Sequence, residues 1–165
     1  FDHLKEKLDT RFISVGRLDM DSEGLLLLTN DGDLARKLEL PSTGWLRKYR
    51  IRVHGYVNKK NLESLKDGIT VDGIRYGKID AKLDKQKGSN AWLTLGIREG
   101  KNREVRKVMS HLGYNVNRLI RVSFGPFKIK NLASGEIEEI KNKILNDQVS
   151  FSTPLRKRYK KNSKN

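Results

Sequence analysis

Val15-Gly16-Arg17-Leu18-Asp19-Met20-Asp21-Ser22-Glu23-Gly24 runs directly into Leu25-Leu26-Leu27-Leu28-Thr29 and stops at Asn30-Asp31-Gly32. A leucine run this short, bounded by Gly and by a strong turn signal, reads as a strand buried on both faces. The polar segment before it then lies at the edge of a packed sheet, where a charged side chain can be held rigidly. Taken alone, Arg17-Leu18-Asp19 is an ordinary surface ion pair or a turn-capping aspartate.

Upstream, Phe12 to Val15 reads as extended chain, and Phe1, Leu4 and Leu8 fall on one face of a short helix. Downstream, Asp33 can cap a helix over Leu34 to Leu40 that ends before Pro41, and Ser42-Thr43-Gly44 is a loop. From Trp45 to Tyr56, Arg47, Tyr49, Ile51 and Val53 alternate with Leu46, Lys48, Arg50 and Arg52, which predicts a strand with a cationic face. Asn58 caps a short helix to Leu65 that Gly68 closes. Ile69-Thr70-Val71, the Asp72-Gly73 turn and Ile74 to Leu83 form a hairpin, followed by a polar turn over Lys85 to Asn90 and a strand over Ala91 to Ile97.

Val105, Val108, Met109 and Leu112 have helical spacing, with Asn102 as the expected N-cap and Gly113 as the stop. Arg103 and Arg106 sit near the start of this helix, where the macrodipole disfavours positive charge, so a carboxylate or phosphate partner is expected there. Val116 to Phe124 reads as a strand closed by Gly125-Pro126. A short strand with Ile137 and Ile140 then precedes a terminal helix around Ile144 and Leu145. Residues 150–165 carry Arg156, Lys157, Arg158, Lys160, Lys161 and Lys164 with no acid, the composition of a basic disordered tail. Many strands, few helices and no βαβ rhythm predict an α+β domain over residues 1–149, built on a mixed, mostly antiparallel sheet flanked by short helices.

Lys plus Arg outnumber Asp plus Glu by 35 to 20, a formal charge of +15, so the expected partner is a polyanion. No apolar run reaches membrane-span length and no signal-peptide pattern opens the chain, which favours a soluble, cytoplasmic nucleic-acid protein over a membrane one. The absence of Cys excludes disulfides and thiolate metal sites, and His3, His54 and His111 lack ligand spacing. Glu99-Gly100-Lys101-Asn102 lacks the second glycine and the Lys-Ser/Thr ending of a P-loop. Neither a dinucleotide fingerprint nor a serine nucleophile elbow is present, so no cofactor is expected. What remains is carboxylate chemistry near the opening stretch, among Asp19, Asp21, Glu23, Asp31 and Asp33.

Gly16-Arg17-Leu18-Asp19-x-x-Ser22-x-Gly24-Leu25-Leu26-Leu27-Leu28-Thr29-Asn30-Asp31-Gly32 resembles the signature segment of the RsuA/RluB family of RNA pseudouridine synthases. Glu99 to Lys107, followed by Asn117-Arg118-Leu119-Ile120-Arg121-Val122-x-x-Gly125, is similar to the family's second diagnostic block. Arg47-Lys48-Tyr49-Arg50-Ile51 is similar to its central strand. The resemblance covers about residues 12 to 125. Two family features, an S4-type RNA-binding domain and a Lys-Pro-x-Gly strand at the start of the catalytic fold, have no counterpart here, so the catalytic domain reads as N-terminally incomplete.

The resemblance implies isomerisation of a uridine to pseudouridine in ribosomal RNA, with the large subunit favoured by the basic tail and the Asn-Arg-Glu-Val-Arg wording. Asp19 takes the catalytic position, as nucleophile at C1′ or base at C2′. It further implies that Arg106 pairs with Asp19 and that Tyr49 stacks on the flipped uracil. Arg17 would fill the space the nucleotide leaves, and Leu119 would wall the base. Lys101, Arg103, Arg118 and Arg121 would contact RNA, chiefly its phosphates. A core leucine, a strand tyrosine and surface arginines account for the same residues without catalysis. The expected partner is a uridine-bearing stem-loop of ribosomal RNA, with no membrane, no small-molecule cofactor and no metal, and the chain is expected to be a monomer. A non-catalytic RNA-binding module, or an inactive synthase fragment on the ribosome, is the alternative reading.

Overall fold

A computed structural model describes residues 11–40 and 43–149, so the expected helix at Phe1 to Leu8 and the basic tail lie outside the described residues. The elements in order are β1 (Ile13–Val15), β2 (Glu23–Gly24), β3 (Leu27–Thr29), α1 (Gly32–Glu39), β4 (Arg47–His54) and α2 (Lys59–Ser64). A 3-10 turn over Leu65–Asp67 leads into β5 (Ile69–Val71), β6 (Ile74–Tyr76), β7 (Ile79–Lys87) and β8 (Asn90–Ile97). Then come α3 (Glu104–His111), β9 (Asn115–Phe124), β10 (Phe127–Lys128) and α4 (Asn142–Val149). Two compact units divide between Asn131 and Leu132, and α4 belongs to the second.

The main sheet has the order β10-β9-β4-β8-β7, with β2 also on β9. Every pairing is antiparallel except β2 with β9, which is parallel. This is the α+β, mostly antiparallel sheet expected from the sequence. The alternation along β4 is realised: Ile51 and Val53 are fully buried, while Lys48 and Arg50 are exposed on the other face. The buried face joins Leu93, Leu95, Ile97, Leu119, Leu62, Leu65, Val105, Val108 and Met109 in one core beneath α2 and α3. Removing this apolar surface from water is the main stabilising term.

Several local expectations need correction. The leucine run is not one strand buried on both faces: Leu25 and Leu27 are buried while Leu26 and Leu28 are only half-buried. The chain changes partner within the run, pairing with β9 at Gly24 and Leu25 and with β1 from Leu27. Only one side of each short pairing faces a core. Helix α1 is capped by Asp31 rather than Asp33, its Oδ1 accepting from the Asp33 and Leu34 amides at 3.0 and 3.1 Å. Ile74 to Leu83 is two strands, β6 and the start of β7, interrupted at Gly77-Lys78. The polar stretch Lys85 to Asn90 is mostly strand, and its turn is only Gly88-Ser89. A register shift between Leu83 and Lys85 spoils the alternation that would have marked β7. Ile137 and Ile140 lie in coil, leaving only the terminal helix.

The crossing of β2 over β9 depends on one glycine. Gly24 has φ 110, and a Cβ there would stand 2.6 Å from the Arg121 amide nitrogen and closer still to its carbonyl oxygen. Gly24→Ala is expected to destabilise the fold by at least about 2 kcal/mol in urea unfolding. A change within about 0.5 kcal/mol would show that this crossing is not under constraint.

Candidate active site

Two strands and one helix start converge on the loop between β1 and β2. On the core face, Tyr49 of β4 is registered with Arg121 of β9, and Ile51 with Leu119. Helix α3 begins at Arg103, which takes the N-cap place in a left-handed conformation (φ 50) without a side-chain cap. The expected cap, Asn102, is displaced into the preceding turn. In the β1–β2 loop, the Ser22 amide donates to the Asp19 carbonyl at 2.9 Å, making a tight turn that separates Asp19 from Asp21.

Of the two partners expected for the α3 arginines, a carboxylate or a phosphate, the chain supplies a carboxylate, that of Asp21. Arg103 grips it bidentately, Nη1 to Oδ1 and Nη2 to Oδ2, both at 3.1 Å. Arg106 donates from Nη2 to the Asp21 carbonyl at 2.7 Å, and its Nε lies 3.4 Å from Asp21 Oδ2. The Arg106 Nη1 holds the Val116 carbonyl at 3.2 Å, tying the loop to β9. Arg103's hydrogen bonds, with the Arg106 charge behind them, keep the Asp21 carboxyl below its ordinary range despite some desolvation. The expected pairing of Arg106 with Asp19 is therefore replaced by one with Asp21, and Asp19 is exposed with no ion pair among the described residues.

Beside this pairing opens one cleft of about 880 Å³, within the range of small-molecule sites. It brings together Asp19, Arg106, Tyr49, Arg17, Leu119, Arg103, Arg121 and Lys101, which are far apart in sequence. Arg118 is not among its lining residues and instead forms a two-pronged ion pair with Glu23 at 2.9 and 3.1 Å. Arg17 is exposed and without an ion pair among the described residues. Leu119 is buried and presents an apolar wall. Lys101 is committed elsewhere: its Nζ donates to the Arg75 carbonyl at 2.5 Å and pairs with Glu99 at 3.3 Å. Arg121 is only 2% exposed, donates from Nε to the Leu25 carbonyl at 2.9 Å and lies over the Phe124 ring. Burial draws the Arg121 pKa down, against the pull of the neighbouring Tyr49 hydroxyl.

Glu104 is the residue that sequence reasoning missed. It is 3% exposed in the cleft wall, and its Oε1 accepts from the Lys101 amide at 3.3 Å. Burial first, then the adjacent Glu99 charge, push its pKa up to about 7. Burial acts the same way on Glu99, but the Gly77 amide at 2.7 Å and Lys101 outweigh it and hold that carboxyl low. The signal was available: Glu104 stands four residues before Val108, on the apolar face of α3. Among the described residues, the buried side-chain atoms without a hydrogen-bond partner are Ser22 Oγ, Glu104 Oε2, Arg106 Nε and Arg121 Nη2. All belong to residues of this cleft. Unpaired buried polar atoms are costly, and their concentration at one place marks a site shaped for something other than packing. No group of three or more His, Cys, Asp or Glu is placed to hold a metal among the described residues.

A family model described as RNA pseudouridylate synthase matches residues 1–111. An uncharacterized RNA pseudouridine synthase of Rickettsia typhi is 48% identical over 143 residues, covering 85% of this chain and 57% of the relative. A ribosomal large subunit pseudouridine synthase B of Buchnera aphidicola is 40% identical over 139 residues, covering 82% of this chain and 54% of the relative. The chain thus spans somewhat over half the length of these curated relatives. A solved pseudouridylate synthase superposes with a TM-score of 0.72 at 26% identity, over 84% of this chain and 60% of that one.

Glu104 gives the site a pH signature. The folded state binds its proton more tightly than the unfolded chain, whose Glu titrates near 4.5. Its contribution is therefore complete below pH 4.5 and is lost as pH rises through about 7, a loss on the order of 3 kcal/mol. Glu99 acts in the opposite sense, below its ordinary range, so the two windows are separate. Glu104→Gln is expected to flatten the stability profile between pH 5 and 8, as followed by chemical unfolding. An unchanged slope would remove Glu104 as its source.

Proposed function

We propose, since this chain belongs to the RNA pseudouridylate synthase family, that it isomerises a specific uridine to pseudouridine in ribosomal RNA, in the large subunit and in the cytoplasm. The observation that carries this reading is the division of labour between two carboxylates: Asp21 takes the ion pairs of Arg103 and Arg106, while Asp19 is exposed at the cation-lined cleft with no ion pair among the described residues. A free carboxylate on a braced turn is what a cofactor-independent glycosidic rearrangement needs.

The uridine swings out of its helix into the cleft, where Tyr49 offers an aromatic platform and Leu119 an apolar wall. Asp19 acts on the ribose, as nucleophile at C1′ or as base at C2′, and the C1′–N1 bond breaks. The uracil rotates and C5 joins C1′. The C5 proton leaves and N1 gains one, so the change is balanced with no energy input. Arg17, exposed in the cleft lining and without an ion pair among the described residues, occupies the space the flipped nucleotide vacates. Arg103 and Arg106 act through Asp21 as positioning residues, and buried Arg121 braces the loop through Leu25.

Asp19→Asn is expected to abolish pseudouridine formation in large-subunit rRNA transcripts, mapped by carbodiimide primer extension, with RNA affinity within about twofold of the parent chain. Retained turnover would remove Asp19 from the chemistry. An RNA-binding parent chain with no turnover would support the non-catalytic reading instead.

A further inference from the structure

The cationic face of β4 takes no part in the cleft. Its residues point to the opposite side of the sheet from Tyr49 and Ile51; Lys48 stands in register with Gly96 and Ser123, and Arg50 and Arg52 stand in two further rungs. One runs Lys82, Thr94, Arg50, Ile120, and the other Lys85, Trp92, Arg52, Arg118. Lys48, Arg50, Lys82 and Lys85 are exposed, and Arg52 is half-buried. Among the described residues, none of Lys48, Arg50 and Arg52 has a carboxylate in ion-pair range. Of the neighbouring acids, Asp84 accepts from the Thr94 hydroxyl at 2.6 Å and Glu23 holds Arg118, while Asp80 is exposed across Gly96 from Lys48 with no ion pair between them among the described residues.

Arg52 stands directly opposite Arg118, and like charges so placed destabilise the pairing. The arginines are nevertheless held in position. Arg50 and Arg52 lie over the Trp92 ring at 5.0 and 5.8 Å, and Arg52 Nε donates to Asn117 Oδ1 at 2.7 Å. Guanidiniums fixed in this way lose little further freedom when they take a partner. Lys48, Arg50 and Arg52 alternate along an extended strand at about 6.7 Å intervals, comparable to the spacing of successive phosphates on a nucleic acid strand.

We propose that this second face of the sheet is an RNA-docking surface separate from the cleft, with Lys48, Arg50 and Arg52 on the sugar–phosphate backbone and Trp92 as the plate that positions the guanidiniums. The proposal rests on the reading of the chain as one that acts on RNA, and it places part of a large folded substrate away from the nucleotide being changed. Surfaces of this kind supply affinity and register rather than base specificity.

The test measures binding of the full 165-residue chain to a structured large-subunit rRNA fragment as a function of salt. For the Lys48→Gln/Arg50→Gln/Arg52→Gln variant, the slope of log affinity against log salt is expected to fall by about 0.7 to 0.9 for each phosphate no longer neutralised, about two units or more in all. An independent readout on the unaltered chain is protection of Lys48, Lys82 and Lys85 from acetylation by bound RNA, with Lys59 and Lys60 of α2 unprotected. Unchanged slope and unprotected lysines overturn the proposal. Loss of binding to phosphatidylserine vesicles, with RNA binding unchanged, overturns it in favour of a membrane. Neither readout needs turnover, so a chain that docks RNA here but makes no pseudouridine would fail as a synthase while this surface stood.

Discussion

The bidentate pair between Arg103 and Asp21, reinforced by Arg106, is the interaction on which the site depends. It joins the first turn of α3 to a loop more than eighty residues earlier, and it resolves two difficulties at once. The arginines at the positive end of a helix acquire a counter-charge. The Asp19–Ser22 turn acquires an anchor at Asp21, and Asp19 itself makes no ion pair among the described residues. A pair this exposed contributes little to global stability. Its value is geometric, since a planar fork on a carboxylate fixes orientation as well as distance.

Behind the pair lies a wall of buried polarity that a core shaped for stability alone would avoid. Arg121 is almost wholly enclosed, and Glu104 is enclosed beside a second carboxyl, Glu99. Packing around them is otherwise apolar, with Val105, Leu119 and Phe124 also lining the cleft. Such groups become acceptable where the surrounding fold over-determines them. Here the determinants are β4 and β9 on one side and the Gly24 crossing on the other, where no larger residue fits between the chain and Arg121.

Much of this was legible in the sequence, and the failures share a cause. The alternation read from Trp45 to Tyr56 is a property of a single strand, and it holds over Arg47–His54 in β4 even though the register with β9 shifts twice. The need for a carboxylate or phosphate near Arg103 and Arg106 followed from the helix macrodipole alone. Which carboxylate meets it did not, because Asp19 and Asp21 are two residues apart and only the turn between them decides which one faces the arginines. The leucine run looked like a two-faced strand because the pattern cannot show that the chain changes partners within it. The stretch from Lys85 to Asn90 looked like a turn because a register shift near Asp84 breaks the parity that marks a strand. Glu104 was hidden by its charge, although its position on the apolar face of α3 pointed inward.

The most direct test of the central claim is a double-mutant cycle on single-turnover pseudouridine formation, using Asp21→Ala, Arg103→Gln and the two combined. If Arg103 acts by holding the Asp21 carboxylate, the double variant will be no slower than the slower single one, because the second change acts on a pairing that the first has already broken. If the two losses multiply, Arg103 works on something other than Asp21, and the account of a turn braced by this pair is contradicted.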